Sequence, residues 1–405
     1  MRAALAAALL FLAAGACSAP ASQTRRWAGT ADTSATGVVV VRNTGPGLWS
    51  ADSAWRLEEE LRIGAADETG PGALANPVVL EADRAGRIYV IELRPNEVRL
   101  YARDGRFLRT LMRTGSGPGE VRGASGLAWD QAGRLWVVDQ GSRRFTVLGT
   151  SGARLAERRM TGLAYMLVPW QGAITPTGDM VEIALVADRA AYLRLAGARG
   201  ENREAELWAA VRRDSSLRQR DTLRLPVFVG PVFRLHRRID AAYLPVPFAS
   251  DILRFVDPRG YVWWSLSERY RIVQQTMRGD TVRIVERDVR PAPVTAAEKD
   301  SVVRSLGRFV RTGGVVNRSL LPDVKPPIGD LWVDDRGYLW TRRYQVRGAP
   351  AGTLFDVFDP EGRYLGEVRA PLALQFVVIR GTALYAIATG EDDEPVIVRY
   401  RIRGR

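Results

Sequence analysis

Between Asn76 and Glu157 the chain alternates short apolar runs with polar turns, and one such unit is written twice. The first copy reads Leu80-Glu81-Ala82-Asp83-Arg84-Ala85-Gly86-Arg87-Ile88-Tyr89-Val90 and, after a short loop, Val98 to Leu108 around a second turn, Asp104-Gly105. The second copy reads Leu127-Ala128-Trp129-Asp130-Gln131-Ala132-Gly133-Arg134-Leu135-Trp136-Val137, then Phe145-Thr146-Val147-Leu148 and the turn Ser151-Gly152. Gly86 and Gly133 stand 47 positions apart, a period that marks a repeat architecture. Runs this short, alternating and bounded by Asp/Gly turns predict about four antiparallel strands per copy, the size of one propeller blade.

The same turn, with an apolar run before it and an aromatic or β-branched run after it, recurs at Thr175 to Gly178, Asp257 to Gly260 and Asp334 to Gly337. A degenerate copy, without the acid, ends at Gly381. An Asp or Thr oxygen can accept a backbone N–H inside such a turn, and glycine tolerates the left-handed conformation that closes it. The aromatic that follows belongs to the second strand, where it can fill the wedge between radiating sheets. From Gly133 onward the intervals are 45, 82, 77 and 44 residues, so two are nearly double. Either each long interval hides a further blade, for eight in all, or each carries an insertion on a six-bladed ring. Thr295-Ala296-Ala297-Glu298 is a capping-box pattern, with Val302, Leu306 and Phe309 at helical spacing, and predicts an inserted helix over about 295–310. Glu201 to Gln219 is polar and reads as long outer strands and a loop rather than a blade. Six blades is the expectation, an all-β six-bladed propeller of four-stranded antiparallel blades occupying residues 37–405. Gly37 to Asn43 and Trp55 to Ile63 read as orphan strands near the N-terminus, expected to complete a C-terminal blade built from about 374–403 and so to close the ring.

The second and third motifs resemble the NHL repeat family of six-bladed β-propellers. The matching residues are Val138-Asp139 followed by Arg144-Phe145, Val90 followed by Asn96 and Val98, the loop Gly115-Ser116-Gly117-Pro118-Gly119-Glu120, and the Asp-x-x-Gly turns. The likeness covers two blades well and the rest loosely. The family includes protein and RNA interaction modules and, in related propellers, lyases and lactonases, so it bears on fold and leaves activity open.

Before the repeats, Arg2 and the apolar Ala3 to Ala14 form a secretion signal over residues 1–16, with Ala14-Gly15-Ala16 at the cleavage positions. Cys17, the chain's one cysteine, follows at once. Ala14-Gly15-Ala16-Cys17 resembles a bacterial lipoprotein lipobox, which implies lipidation of Cys17 and a membrane-anchored protein facing the periplasm or the cell surface. An ordinary signal peptide cut at the same bond would instead leave a soluble periplasmic or secreted protein. Residues 17–36, rich in Ala, Ser and Thr, read as a flexible tether. The 405 residues carry 58 Lys plus Arg against 45 acids, a formal +13, with only two lysines, Lys299 and Lys325. An arginine-rich solvated surface accounts for this charge as well as an anionic partner does, and no basic run marks a nucleic-acid stripe.

The chemical inventory is narrow. His236 is the only histidine and lies among arginines, so a multi-histidine zinc site and a Cys/His pair are excluded within the chain. Neither a nucleophile elbow nor a phosphate loop is present. Loops joining second to third strands and blade to blade gather on one face, where Glu92, Asn96, Asp139, Arg143 and Arg144 are the candidate ligand-binding residues. Glu92 and Asp139 are also weak candidates for an oxygen-ligand Ca²⁺ site. Two functions stay open: a tethered, non-catalytic binding module of the cell envelope, monomeric, cofactor-free and with an unknown protein or envelope ligand, or a Ca²⁺-dependent lactonase-like hydrolase. The inventory points away from an enzyme.

Overall fold

In the computed structural model, residues 26–404 are described, apart from 66, 71, 161–168, 187–201, 237–240 and 346–351. Cys17 and the signal segment lie outside the described residues. Seven sheets are found among those described, and all but one contain a run of four antiparallel strands. Each sequence copy is one such run. Pro77–Ala82, Ile88–Glu92, Glu97–Tyr101 and Phe107–Thr114 form the first, and Ala124–Trp129, Leu135–Asp139, Arg144–Leu148 and Arg154–Arg159 the second. The second strands are buried along their whole length, whereas the outermost strand Arg154–Arg159 is almost wholly exposed. A strand enclosed on both faces cannot alternate apolar with polar, which is why Ile88–Glu92 and Leu135–Asp139 are nearly continuous hydrophobic runs.

Neighbouring runs share apolar clusters, and these clusters run in a circle. Ile91 and Val98 meet Leu127 and Val137 of the next sheet; Val138 and Phe145 meet Trp170 and Met180; Val181 and Trp208 meet Ile252 and Val262. Trp263 and Ile272 meet Leu339 and Phe358, Trp340 and Phe355 meet Val377 and Tyr400, and Tyr385 and Ile397 return to Leu80 and Val90. The chain is therefore an all-β, propeller-like ring. Its C-terminal sheet, Leu374–Arg380, Ala383–Thr389 and Pro395–Arg403, takes its outermost strand from the other end of the chain: Arg56–Ile63 pairs antiparallel with Pro395–Arg403.

The turns follow the chemistry expected of them. Asp130 Oδ1 accepts the amides of Ala132 and Arg134 (both 3.0 Å), and Oδ2 accepts Arg134 Nε (2.7 Å) and Trp136 Nε1 (2.9 Å). Asp83 repeats the set with Arg87 and Tyr89, and Asp257 engages two amides and Trp263 Nε1. Gly133 and Gly260 stand at φ 71° and 87°, the region a side chain disfavours.

The N-terminal segment departs from expectation. Val39–Asn43 does not join the C-terminal sheet but pairs in parallel with Thr281–Arg287, two sheets away along the ring. Gly29–Thr33 pairs with it as a hairpin, so this part of the expected 17–36 tether is a strand. Asn43 decides the placement. Buried at 2 % exposure, its amide donates to the carbonyls of Glu286 and Gly362 and accepts from Tyr364 N and Trp27 Nε1. All the capacity of one side chain is thus satisfied by groups of two different sheets and by Trp27, which a sequence pattern of strand residues does not disclose.

The two long intervals build one structure. Arg203–Glu206, Phe228–His236 and Ala241–Pro245 form a separate three-stranded sheet, so the first long interval holds this sheet beside the third and fourth strands of its blade. The second supplies α1 (Ala296–Ser305) and α2 (Gly307–Arg311), opened by the Thr295/Glu298 capping box. Val302, with Leu306 and Phe309 beside it, packs on Phe233, Val246 and Phe248. Each half buries the apolar face the other leaves open.

Candidate functional site

Four of the five residues that sequence places on the loop face are used up in holding that face together. Glu92, fully buried, accepts the amide of Asn76 (2.6 Å) and lies 3.9 Å from Arg99. Burial pushes its carboxyl up, against the Asn76 and Ala75 amides and Arg99. Asp139, equally buried, accepts the amides of Arg122, Gly123 and Ser142 at 3.0 to 3.2 Å and sits 3.5 Å from Arg144 Nε. Asn96, at φ 67°, donates to the Val121 carbonyl and accepts from Ala124 N. Arg144 ties down the glycine loop through the carbonyls of Gly117 (3.0 Å) and Glu120 (2.7 Å). Only Arg143 is exposed. Glu394 closes its own turn through Asp392 N. Glu92 and Asp139 end the second strands of adjacent sheets but each serves its own loop, and among the described residues no three carboxylate, histidine or cysteine groups are gathered in a way that could hold a metal ion.

A cavity lies elsewhere, between the insert and the ring. About 210 Å³ in volume, it is walled on the insert side by Phe228, Tyr243 and Pro245 and on the ring side by Leu253, Ile328 and Tyr344. Glu204 and Glu206 of the insert and Asp251 of the ring bring carboxylates to it. Glu204 is held by Arg234 (3.2 Å), and Glu206 accepts Trp208 Nε1 (2.7 Å). Asp251 stands just before the innermost strand Ile252–Val256 and accepts the next amide, Ile252 N, at 2.7 Å. Asp330, opening the innermost strand of the next sheet, repeats this with Leu331 N (3.0 Å) and is paired with Arg342 (3.2 Å). Arg254 lies over the Trp208 ring, 3.5 Å from its centroid.

These groups sense one another. Burial, then the charge of Glu206, pushes the Asp251 carboxyl above the ordinary range, with Arg254 opposing. Burial likewise raises Asp330 and lowers Arg254, the latter against the pull of Asp251, Glu206 and Asp330. Asp251 is nonetheless solvent-exposed, so it meets water inside a space otherwise bounded by protein. The signal for the pair was present as Asp251-Ile252-Leu253 and Asp330-Leu331-Trp332, an acid opening the apolar run ahead of each turn. No such signal marks Glu206, Phe228 or Tyr243, because the insert lacks a repeat to compare them with.

No protein-family model matches the chain, and no curated protein matches it by sequence. Solved structures with a similar chain path include an exported protein from Bacteroides fragilis (TM-score 0.49, 12 % identity, 90 % of this chain and 99 % of that one). Others are virginiamycin B lyase from Staphylococcus aureus (0.42, 10 %, 85 % and 99 %) and a gluconolactonase from Xanthomonas campestris (0.41, 12 %, 81 % and 86 %). At these identities and scores none of them speaks for the activity of this chain, and the propeller assignment rests on the sheets and clusters described above.

Proposed function

We propose that the chain is a six-bladed propeller that is exported, tethered to the membrane through a lipid on Cys17, and binds a ligand of the cell envelope without turning it over. The observation that carries this reading is the cavity between insert and ring. A rigid ring with an added roof over concave, partly apolar space is the arrangement in which ligand recognition is usually built. The insert supports a count of six. Among the described residues the long intervals add one shared cap, a three-stranded sheet and two helices, rather than a further four-stranded sheet. The hydrolase alternative would need three oxygen ligands converging on one point, and Glu92 and Asp139, its first candidates, are committed to their own loops.

Export and tethering are tested by expressing the full chain in a bacterial host with labelled fatty acid. Wild-type protein should carry the label and sediment with membranes, and Cys17→Ser should be released, unlabelled, with an unchanged melting curve. A wild-type protein already free of lipid by mass spectrometry would overturn the tether. Catalysis is tested separately by calcium titration alongside a lactone-hydrolysis screen, where saturable calcium binding with turnover would overturn the binding-module reading.

A further inference from the structure

The cavity between insert and ring has a chemistry of its own. The insert contributes the side chains of Phe228, Tyr243 and Pro245 together with the carboxylates of Glu204 and Glu206. On the other side the exposed Asp251 carboxylate faces the space, with Glu206 close enough to raise it. Among the described residues neither Asp251 nor Glu206 has a salt bridge within 4 Å, whereas Glu204 and Asp330 are each paired with an arginine. Arg254, whose charge acts on both, has its guanidinium turned onto Trp208 and donating to the Ile252 carbonyl (2.8 Å). Negative charge held in partly desolvated surroundings is costly unless a cation neutralises it. The aromatic side chains that line the same cavity favour the same guest, because their π-systems attract cations. Size narrows the class further. A volume of about 210 Å³ falls below the ~300–1,000 Å³ of typical drug-sized sites, so a small molecule fits and a polymer segment does not.

We propose that this cavity binds a small organic cation, a protonated amine or guanidinium on a short apolar or aromatic body, with the charged head at Asp251 and Glu206 and the body against Phe228 and Tyr243. The proposal deepens the binding-module reading and rests on it. Neither carboxylate has a structural duty comparable to that of Asp139. Asp251 holds one neighbouring amide and Glu206 one indole N–H, bonds that Asn and Gln oxygens can also accept.

The test is calorimetric titration of the intact mature chain with benzylamine, benzyl alcohol and benzoate, which share a body and differ in charge. Saturable binding of benzylamine, with at least tenfold weaker binding of the alcohol and none of benzoate, is expected. Asp251→Asn should weaken benzylamine binding by about tenfold or more and Glu206→Gln by less, both with wild-type melting curves. Equal binding of benzylamine and benzyl alcohol, or full affinity in Asp251→Asn, would overturn the assignment. So would absence of benzylamine binding at millimolar concentration. A parallel pull-down with solubilised envelope extract separates the two readings. Envelope material retained by a protein blind to benzylamine rejects the cation site while leaving the binding module standing.

Discussion

Asp130 concentrates in one carboxylate the logic of the whole repeat. Its two oxygens take two turn amides, an arginine and the indole of the strand that follows, so turn, hairpin and wedge are fixed by one group. Burial raises its carboxyl, but the Trp136 and Arg134 donors outweigh this and hold it below the ordinary 3.8. The sign follows by linkage. The stability it contributes is complete above about 3.8 and is lost as pH falls through the lowered folded value. Asp130→Asn should therefore cost roughly 1–2 kcal/mol near neutrality, by urea unfolding, and should flatten the fall of stability with pH below about 4. An unchanged acid limb would show that Asp130 is not ionised as described. At this scale sequence was a good guide to turns and a poor one to the loop face. It placed Glu92, Asn96, Asp139 and Arg144 at the right positions in the chain, but the same polar side chain serves a ligand or a neighbouring amide depending on which way it turns. That direction is set by Asn76, Val121, Gly123 and Gly117, all at least 16 residues away in sequence.

Among the elements, the inserted helix and the N-terminal strands show opposite degrees of legibility. Thr295 and Glu298 exchange the two bonds of a capping box and Val302, Leu306 and Phe309 form one apolar stripe, as local spacing alone indicates, while the structure lays that stripe on Phe233 and Phe248. Removing the cap with Thr295→Ala should cost about 1 kcal/mol. Because the helix packs on the insert rather than between sheets, the loss should be felt there first: amide exchange over residues 296–311 should quicken while the sheet amides 88–92 and 135–139 keep their protection. Uniform quickening throughout would mean that insert and ring unfold as one unit. Val39–Asn43, by contrast, is recognisable as a strand but not assignable to a partner. Its position depends on Asn43 reaching Glu286 and Gly362, contacts separated by 243 and 319 residues.

For the whole molecule the decisive feature is that the last sheet borrows Arg56–Ile63 from the N-terminal end, so that Pro395–Arg403 has no open edge. Deleting residues 56–63 should remove cooperativity from the entire ring, seen as a broadened, lowered thermal transition. Deleting 26–43 should lower the midpoint while leaving the transition sharp, because that hairpin covers one edge without closing the ring. Equal sharpness in both variants would refute closure as the source of cooperativity. The sequence by itself determined the repeat, its strands, its Asp-and-Gly turns and the capped helix, because each depends on residues within about ten positions of one another. Only the tertiary structure decided where the N-terminal hairpin docks, that two distant insertions assemble into one roof, and that Asp251 and Glu206 share a cavity. Those outcomes depend on the faces left unburied once the ring has closed, and a face is a property of residues far apart in the chain.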